Sequence, residues 1–120
     1  MEFLFQLYND ETRWDRMTPE VSRHEIGAYL AYTEALREAG VYVGGNPLQA
    51  TSTATTVRVK ADGTSSVLDG PYADTKEQLG GYYLVDVPDR EAALAWAARC
   101  PCASHGSVEV RPIMAIPSLV

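Results

Sequence analysis

The segment Gly80-Gly-Tyr-Tyr-Leu-Val-Asp-Val-Pro-Asp-Arg-Glu-Ala-Ala-Leu-Ala-Trp-Ala-Ala-Arg99 changes character halfway along, and that change decides the fold. Gly81 to Val87 is an aromatic and β-branched run stopped by Pro88, which reads as a strand. Asp89 then offers a side-chain acceptor to a helix N-terminus. Arg90 to Arg99 follows with Ala93, Leu94, Trp96, Ala97 and Cys100 on one core-facing stripe, and Pro101 ends it. A strand passing straight into a short helix needs a second strand after it. Ser107-Val-Glu-Val-Arg111 supplies one, with Val108 and Val110 on one side and Glu109 and Arg111 on the other.

The first half repeats the unit. Phe3, Phe5 and Leu7 alternate with Leu4, Gln6 and Tyr8, predicting a strand over Glu2 to Tyr8. An acidic, aromatic loop from Asn9 to Met17 leads to Thr18-Pro19-Glu20, where a hydroxyl cap, a proline in the first turn and an acid start a helix. That helix is expected to run to about Ala39 on a stripe of Ile26, Tyr29, Leu30, Thr33, Leu36 and Ala39, with Gly40 as its stop. Val41-Tyr-Val begins a strand that should break at Gly44, Gly45 and Pro47. Thr55 to Lys60 and Ser65 to Leu68 flank Asp62-Gly63 as a hairpin with a primed-type turn.

The order is strand, long helix, strand, hairpin, strand, short helix, strand. This is an α+β fold, a ferredoxin-like split β-α-β arrangement with an added hairpin, in a single domain over residues 1–120. Two helices cover one face of such a sheet. The other face, carrying Gln6, Tyr8, Tyr82, Leu84, Asp86, Glu109 and Arg111, calls for a second copy of the chain, so a homodimer is expected.

Sixteen acidic residues against ten basic ones give a net charge of −6, and the basic residues are scattered, which argues against nucleic-acid binding. No stretch approaches the apolar length of a bilayer span, and the N-terminal run lacks a basic leader, so a cytoplasmic protein is expected with no membrane association. Cys100 and Cys102 are separated only by Pro101, too close for an unstrained mutual disulfide and too few for a metal site. The expectation is a pair of reduced thiols, with no metal and no cofactor.

Chemistry concentrates in the connector from Asp69 to Gly81. Asp69-Gly70-Pro71 has the composition of a tight turn, while its carboxylate is also a candidate proton acceptor; Gly80-Gly81 suits a bulge or a close backbone contact. Lys76 and Glu77 are candidate ligand contacts, whose bland reading is a solvated ion pair. On the open sheet face Tyr82, Glu109 and Arg111 either pair with one another or a partner subunit, or hold a polar ligand. His105, expected near the edge of that face, is the group suited to proton transfer near neutral pH, and His24 is a weaker candidate on the first helix.

Asp69-Gly-Pro-Tyr72, Thr75-Lys-Glu-Gln-Leu-Gly-Gly-Tyr-Tyr-Leu-Val-Asp-Val-Pro88, Ala93-Leu-Ala-Trp-Ala-Ala-Arg-Cys-Pro101 and Gly106-Ser-Val-Glu-Val-Arg-Pro112, with Thr33-Glu-Ala-Leu36, resemble the YCII-related family, in its DGPF-domain branch. Tyr72 stands where that branch takes its name from Phe, a change that keeps the ring and adds a hydroxyl. The resemblance implies a ferredoxin-like subunit, a dimeric α+β barrel and, for some members, association with an extracytoplasmic-function sigma factor. It also implies a His and an Asp as a proposed catalytic pair, the histidine falling in the first helix around His24 and Glu25. Two readings stand side by side. One is a homodimeric small-molecule-binding protein, in its enzymatic form performing acid–base chemistry on a small polar or anionic substrate in a dimer cavity bordered by the connector. The other is a non-enzymatic regulatory module acting with a sigma factor.

Overall fold

The structure, a computed structural model, describes residues 1–117. Six strands and two α-helices alternate as β1 (Glu2–Asn9), α1 (Pro19–Glu38), β2 (Tyr42–Pro47), β3 (Thr55–Val59), β4 (Ser65–Asp69), β5 (Gln78–Asp86), α2 (Arg90–Arg99) and β6 (Ser107–Pro112). Four strands form an antiparallel sheet in the order β2-β5-β1-β6, and β3 with β4 makes a separate two-stranded sheet. With the hairpin set aside, this is the ferredoxin-like order expected from the sequence.

The helix caps form where the residues dictate. Thr18 accepts the backbone N–H of Val21, Asp89 accepts that of Ala92, and Gly40 leaves α1 at φ 72°. Alternation along the strands sorts the two faces. Phe3, Phe5 and Leu7 of β1, with Tyr83 and Val85 of β5, are buried under Tyr32 and Leu36 of α1 and Ala93 and Ala97 of α2. Burial of side chains such as Phe5 and Leu36 stabilises the fold by roughly 2 kcal/mol each. The opposite face aligns Leu84, Leu4 and Arg111 in one row and Tyr82, Gln6 and Glu109 in the next, and both α-helices pack on the other side.

Four local expectations are corrected. The loop after β1 contains a 3-10 turn, Glu11–Arg16, capped by Asp10, whose carboxylate accepts from the Thr12 N–H. β2 does not break at its glycines but runs through them to Pro47, with a bulge after Tyr42. A Cβ on Gly45 would sit 2.8 Å from the Tyr83 ring, so only glycine lets β2 lie alongside that residue. The β3–β4 turn is one residue longer than a primed two-residue turn: the Gly63 N–H donates to the Lys60 carbonyl and Gly63 takes φ 87°, the geometry of a three-residue loop. The stripe of α1 is rotated, so that Glu25, Tyr32 and Leu36 are buried and Tyr29 half-buried, while Ile26 and Leu30 remain 51% and 67% exposed.

The radius of gyration, 16.8 Å, exceeds the about 14 Å typical of a compact chain of this length. The β3–β4 hairpin contributes, because its valines Val57, Val59 and Val67 are all exposed.

Candidate functional site

A cleft of about 740 Å³ opens on the helix side of the sheet, between α1, the 3-10 turn and the β2–β5 edge. Its position follows from three sequence features. Leu7 and the glycine pair Gly80-Gly81 form a floor with little side-chain bulk, since Gly80 is the extra residue of a bulge opposite Leu7 and Tyr8. Tyr29, Tyr42 and Tyr83 contribute rings, and the ring of Tyr42 meets that of Tyr83 edge to face at 6.4 Å. Trp14 comes in from the 3-10 turn, and the exposed Ile26 and Leu30 of α1 lie on the rim. The rotation of the α1 stripe is therefore what leaves these two apolar side chains at the cleft.

Polar groups enter from the edges. Thr33 shares a 2.9 Å hydrogen bond with the Tyr83 hydroxyl, and burial pushes the Tyr83 phenol upward against the opposing effect of that bond. Tyr29 is driven well above the ordinary phenol range, chiefly by burial and then by the neighbouring Cys102, Cys100 and Glu25. Both are hydroxyl donors, not phenolates, at neutral pH. Glu11 joins the two walls: its carboxylate accepts from the Thr51 N–H and hydroxyl, and its own N–H donates to the Gln78 side-chain oxygen at 3.0 Å. The 3-10 turn is thereby latched to the Leu48–Ser52 segment opposite it.

Behind this wall lies a cluster of three charged or ionisable groups. Arg13 Nη1 donates to both carboxylate oxygens of Glu25, at 2.8 and 2.9 Å, and His105 Nε2 stands 2.8 Å from Glu25 Oε1. Nε2 faces this carboxylate, and the other ring nitrogen, Nδ1, is buried without a protein partner among the described residues. Three elements meet here. Arg13 belongs to the 3-10 turn, Glu25 to the first half of α1, and His105 to the junction before β6. Gly106 makes the junction possible, because a Cβ there would collide with the Tyr8 carbonyl oxygen. Arg13 is flanked by Thr12 and Trp14, both in the cleft wall, and Glu25 is one turn before Tyr29, so the cluster holds the wall without itself lining the cleft.

The residues singled out from the sequence are dispersed. His105 lies against α1, not on the open sheet face, because its ring is drawn to Glu25. His24 is exposed on α1, Asp69 is exposed at the end of β4, and Lys76 is exposed in the connector. Glu77 accepts from the Ser107 hydroxyl at 2.9 Å. Glu109 and Arg111 pair at 2.6 Å along a single strand, and Tyr82 accepts from Asn46 on the same face. Of the predicted residues only Tyr82 borders the cleft. Arg13, Glu25, Trp14 and Tyr29 escaped the sequence reading. The available signal was Glu25 in register with Tyr29, Tyr32 and Leu36, an acid within an apolar helical stripe.

Both cysteines are free and buried. Burial raises the Cys100 thiol to about 12 and also raises Cys102, whose Sγ lies 3.4 Å from the Tyr8 carbonyl. Among the described residues no helix is long and apolar enough to cross a membrane.

The YCII-related domain matches residues 1–117. An uncharacterised protein of Rhizobium meliloti (strain 1021) is 38% identical over 108 residues, spanning 88% of this chain and 86% of the relative. Among solved structures, 5-chloro-2-hydroxyhydroquinone dehydrochlorinase (TftG) from Burkholderia phenoliruptrix AC1100, in complex with 2,5-dihydroxybenzoquinone, is similar with a TM-score of 0.53 and 17% identity over 95% of this chain and 94% of that one. That likeness concerns the fold. The domain match along residues 1–117 places the chain in the YCII-related family.

Proposed function

We propose that the chain binds a small ring-bearing organic molecule in the cleft between α1 and the β2–β5 edge, and that it promotes proton transfer on that molecule. The observation that carries the reading is the aromatic cleft, with its floor kept low by glycine and its wall anchored by the Arg13–Glu25–His105 cluster. Its volume and largely apolar lining with a few convergent polar groups are typical of small-molecule sites. The fold relative that was solved with a dihydroxybenzoquinone is consistent with a ring as ligand. Glu11 and Asp15 are the carboxylates that face the cleft and supply the acid–base groups. The buried cluster keeps the 3-10 turn that carries them in place.

The working form in this reading is a homodimer of the DGPF type. The uncovered sheet face, with half-buried Leu4, Tyr8 and Leu84, is the surface that a second copy would cover. Sedimentation equilibrium at micromolar concentration tests this part separately, and a stable monomer would remove it while leaving the cleft intact.

Trp14 makes the cleft its own reporter. In a Trp96→Phe background, titration with hydroxylated benzenes, quinones and aryl-alkyl amines is expected to give, for some members, a saturable change in Trp14 emission and a raised melting temperature. If no compound in such a panel does either, the cleft is not a ligand site.

A further inference from the structure

The charge of the cleft lining narrows the ligand class. It contains the carboxylates of Glu11 and Asp15, and among the described residues no Lys, Arg or His lines it. The nearby cations are already engaged. Arg13 is held by both oxygens of Glu25, and Arg16 lies 3.6 Å from Asp10. Asp15 has no ion-pair partner among the described residues and is exposed next to Trp14. The Glu11 carboxylate accepts from the Thr51 N–H and hydroxyl, which leaves it further lone pairs.

The rings point the same way. A cation is attracted to an aromatic face, most strongly to tryptophan, and carboxylates beside the ring add to that attraction. The fold already uses this three times among the described residues, with guanidinium groups over Tyr42, Tyr72 and Trp96; at the cleft the Arg37 guanidinium lies over the Tyr42 ring, 4.8 Å from its centroid. Since Arg37 takes up Tyr42, the Trp14–Asp15 end is where a second cation fits best. An anion entering the cleft would meet two carboxylates and no counter-charge, whereas a neutral ring would gain only from the apolar walls.

On the reading that the cleft is the ligand site, we infer that it selects an organic cation: an amine whose apolar or aromatic body fills the space over Leu7 and Gly81, and whose ammonium head lies between Trp14 and Asp15, with Glu11 behind it. This departs from the anionic alternative in the substrate class expected from the sequence.

Three probes of one shape separate the possibilities: 2-phenylethylamine, 2-phenylethanol and 3-phenylpropanoate, each titrated by calorimetry at pH 7 and low salt. The amine is expected to bind about tenfold more tightly than the alcohol, and the carboxylate most weakly. Asp15→Asn, a change at an exposed side chain, should reduce the amine-to-alcohol ratio to about threefold or less, and Trp14→Leu should lower amine affinity more than alcohol affinity. If the alcohol binds as tightly as the amine, or the carboxylate binds best, the charge inference is overturned and the cleft reading stands. An amine-to-alcohol ratio unchanged in Asp15→Asn likewise overturns it. If none of the three binds the wild-type protein, the charge inference falls, and the cleft reading falls with it only if the hydroxylated benzenes and quinones fail as well.

Discussion

Glu25 and His105, one on the first helix and the other at the entrance to the last strand, meet at 2.8 Å with Arg13 bound to the same carboxylate. The contact ties the start of α1 to the far edge of the sheet, and through Arg13 it holds the turn that forms one side of the cleft. The side chain of Glu25 is only 10% exposed, so its charge depends on these two partners in place of water.

Replacing Glu25 with Gln removes that charge while keeping the shape. Arg13 and His105 would then face each other at 3.4 Å without a counter-ion. The expected loss is about 2 kcal/mol of unfolding free energy in urea, within the range for breaking a partly buried ion pair. A change below about 0.5 kcal/mol would show that the cluster does not bear on stability.

Gly106→Ala should be costly although it adds a single methyl. The new Cβ would meet the Tyr8 carbonyl oxygen and the Asn9 side chain, and the obstacle on one side is backbone. A destabilisation on the order of 2 kcal/mol is expected. The variant should also lose the His105 ring environment in a proton NMR spectrum, since the junction must move for the methyl to fit.

The latch at Glu11 acts locally. Glu11→Ala deletes both acceptors used by Thr51 and leaves the main core untouched. Amide exchange at Thr51 should speed up on the order of fivefold, with global stability reduced by about 1 kcal/mol or less. Unchanged exchange at Thr51 would mean that the cleft walls are joined by other contacts.

Stability should decline on the alkaline side. Tyr29, Tyr32, Tyr83 and Cys100 all have folded-state values raised by burial above their ordinary 10.0 or 9.0. The unfolded chain therefore releases these protons first. Stability from this source is complete below about pH 9 and is lost as pH rises toward and beyond 12, the value reached by Cys100. The melting temperature should be flat between pH 7 and 8.5 and should fall progressively above that; a rise above pH 9 would contradict the burial of these groups.

The thiols give an independent check on packing. At pH 8 a chromogenic disulfide reagent should find neither Cys100 nor Cys102 reactive on the minute timescale in the native protein, and both reactive in guanidinium. Rapid native reaction of either thiol would place it at the surface.

The ferredoxin-like order, the two helix caps, the inward set Phe3, Phe5, Leu7, Val85 and the bulge at Gly80 were all legible in the chain, because each rests on a local rule: period, cap chemistry or glycine's freedom. The site was not. In α1 the two stripes, one through Ile26 and Leu30 and the other through Glu25 and Tyr32, share Tyr29 and Leu36, and the chain alone points to the wrong one. Hydropathy favours the first. Packing chose the second, since Arg13 and His105 give Glu25 the partners that a buried carboxylate requires.

By itself, then, the sequence determined the order of the main helices and strands and which sheet face meets the helices, since spacing along a chain is enough to specify those. Only the tertiary structure decided that His105 belongs with Glu25, that Ile26 and Leu30 border a cleft, and that the cleft bears carboxylates and no cations among the described residues. Those relations join residues from distant parts of the chain. They come into being only when burial must satisfy charges and fill space at the same time.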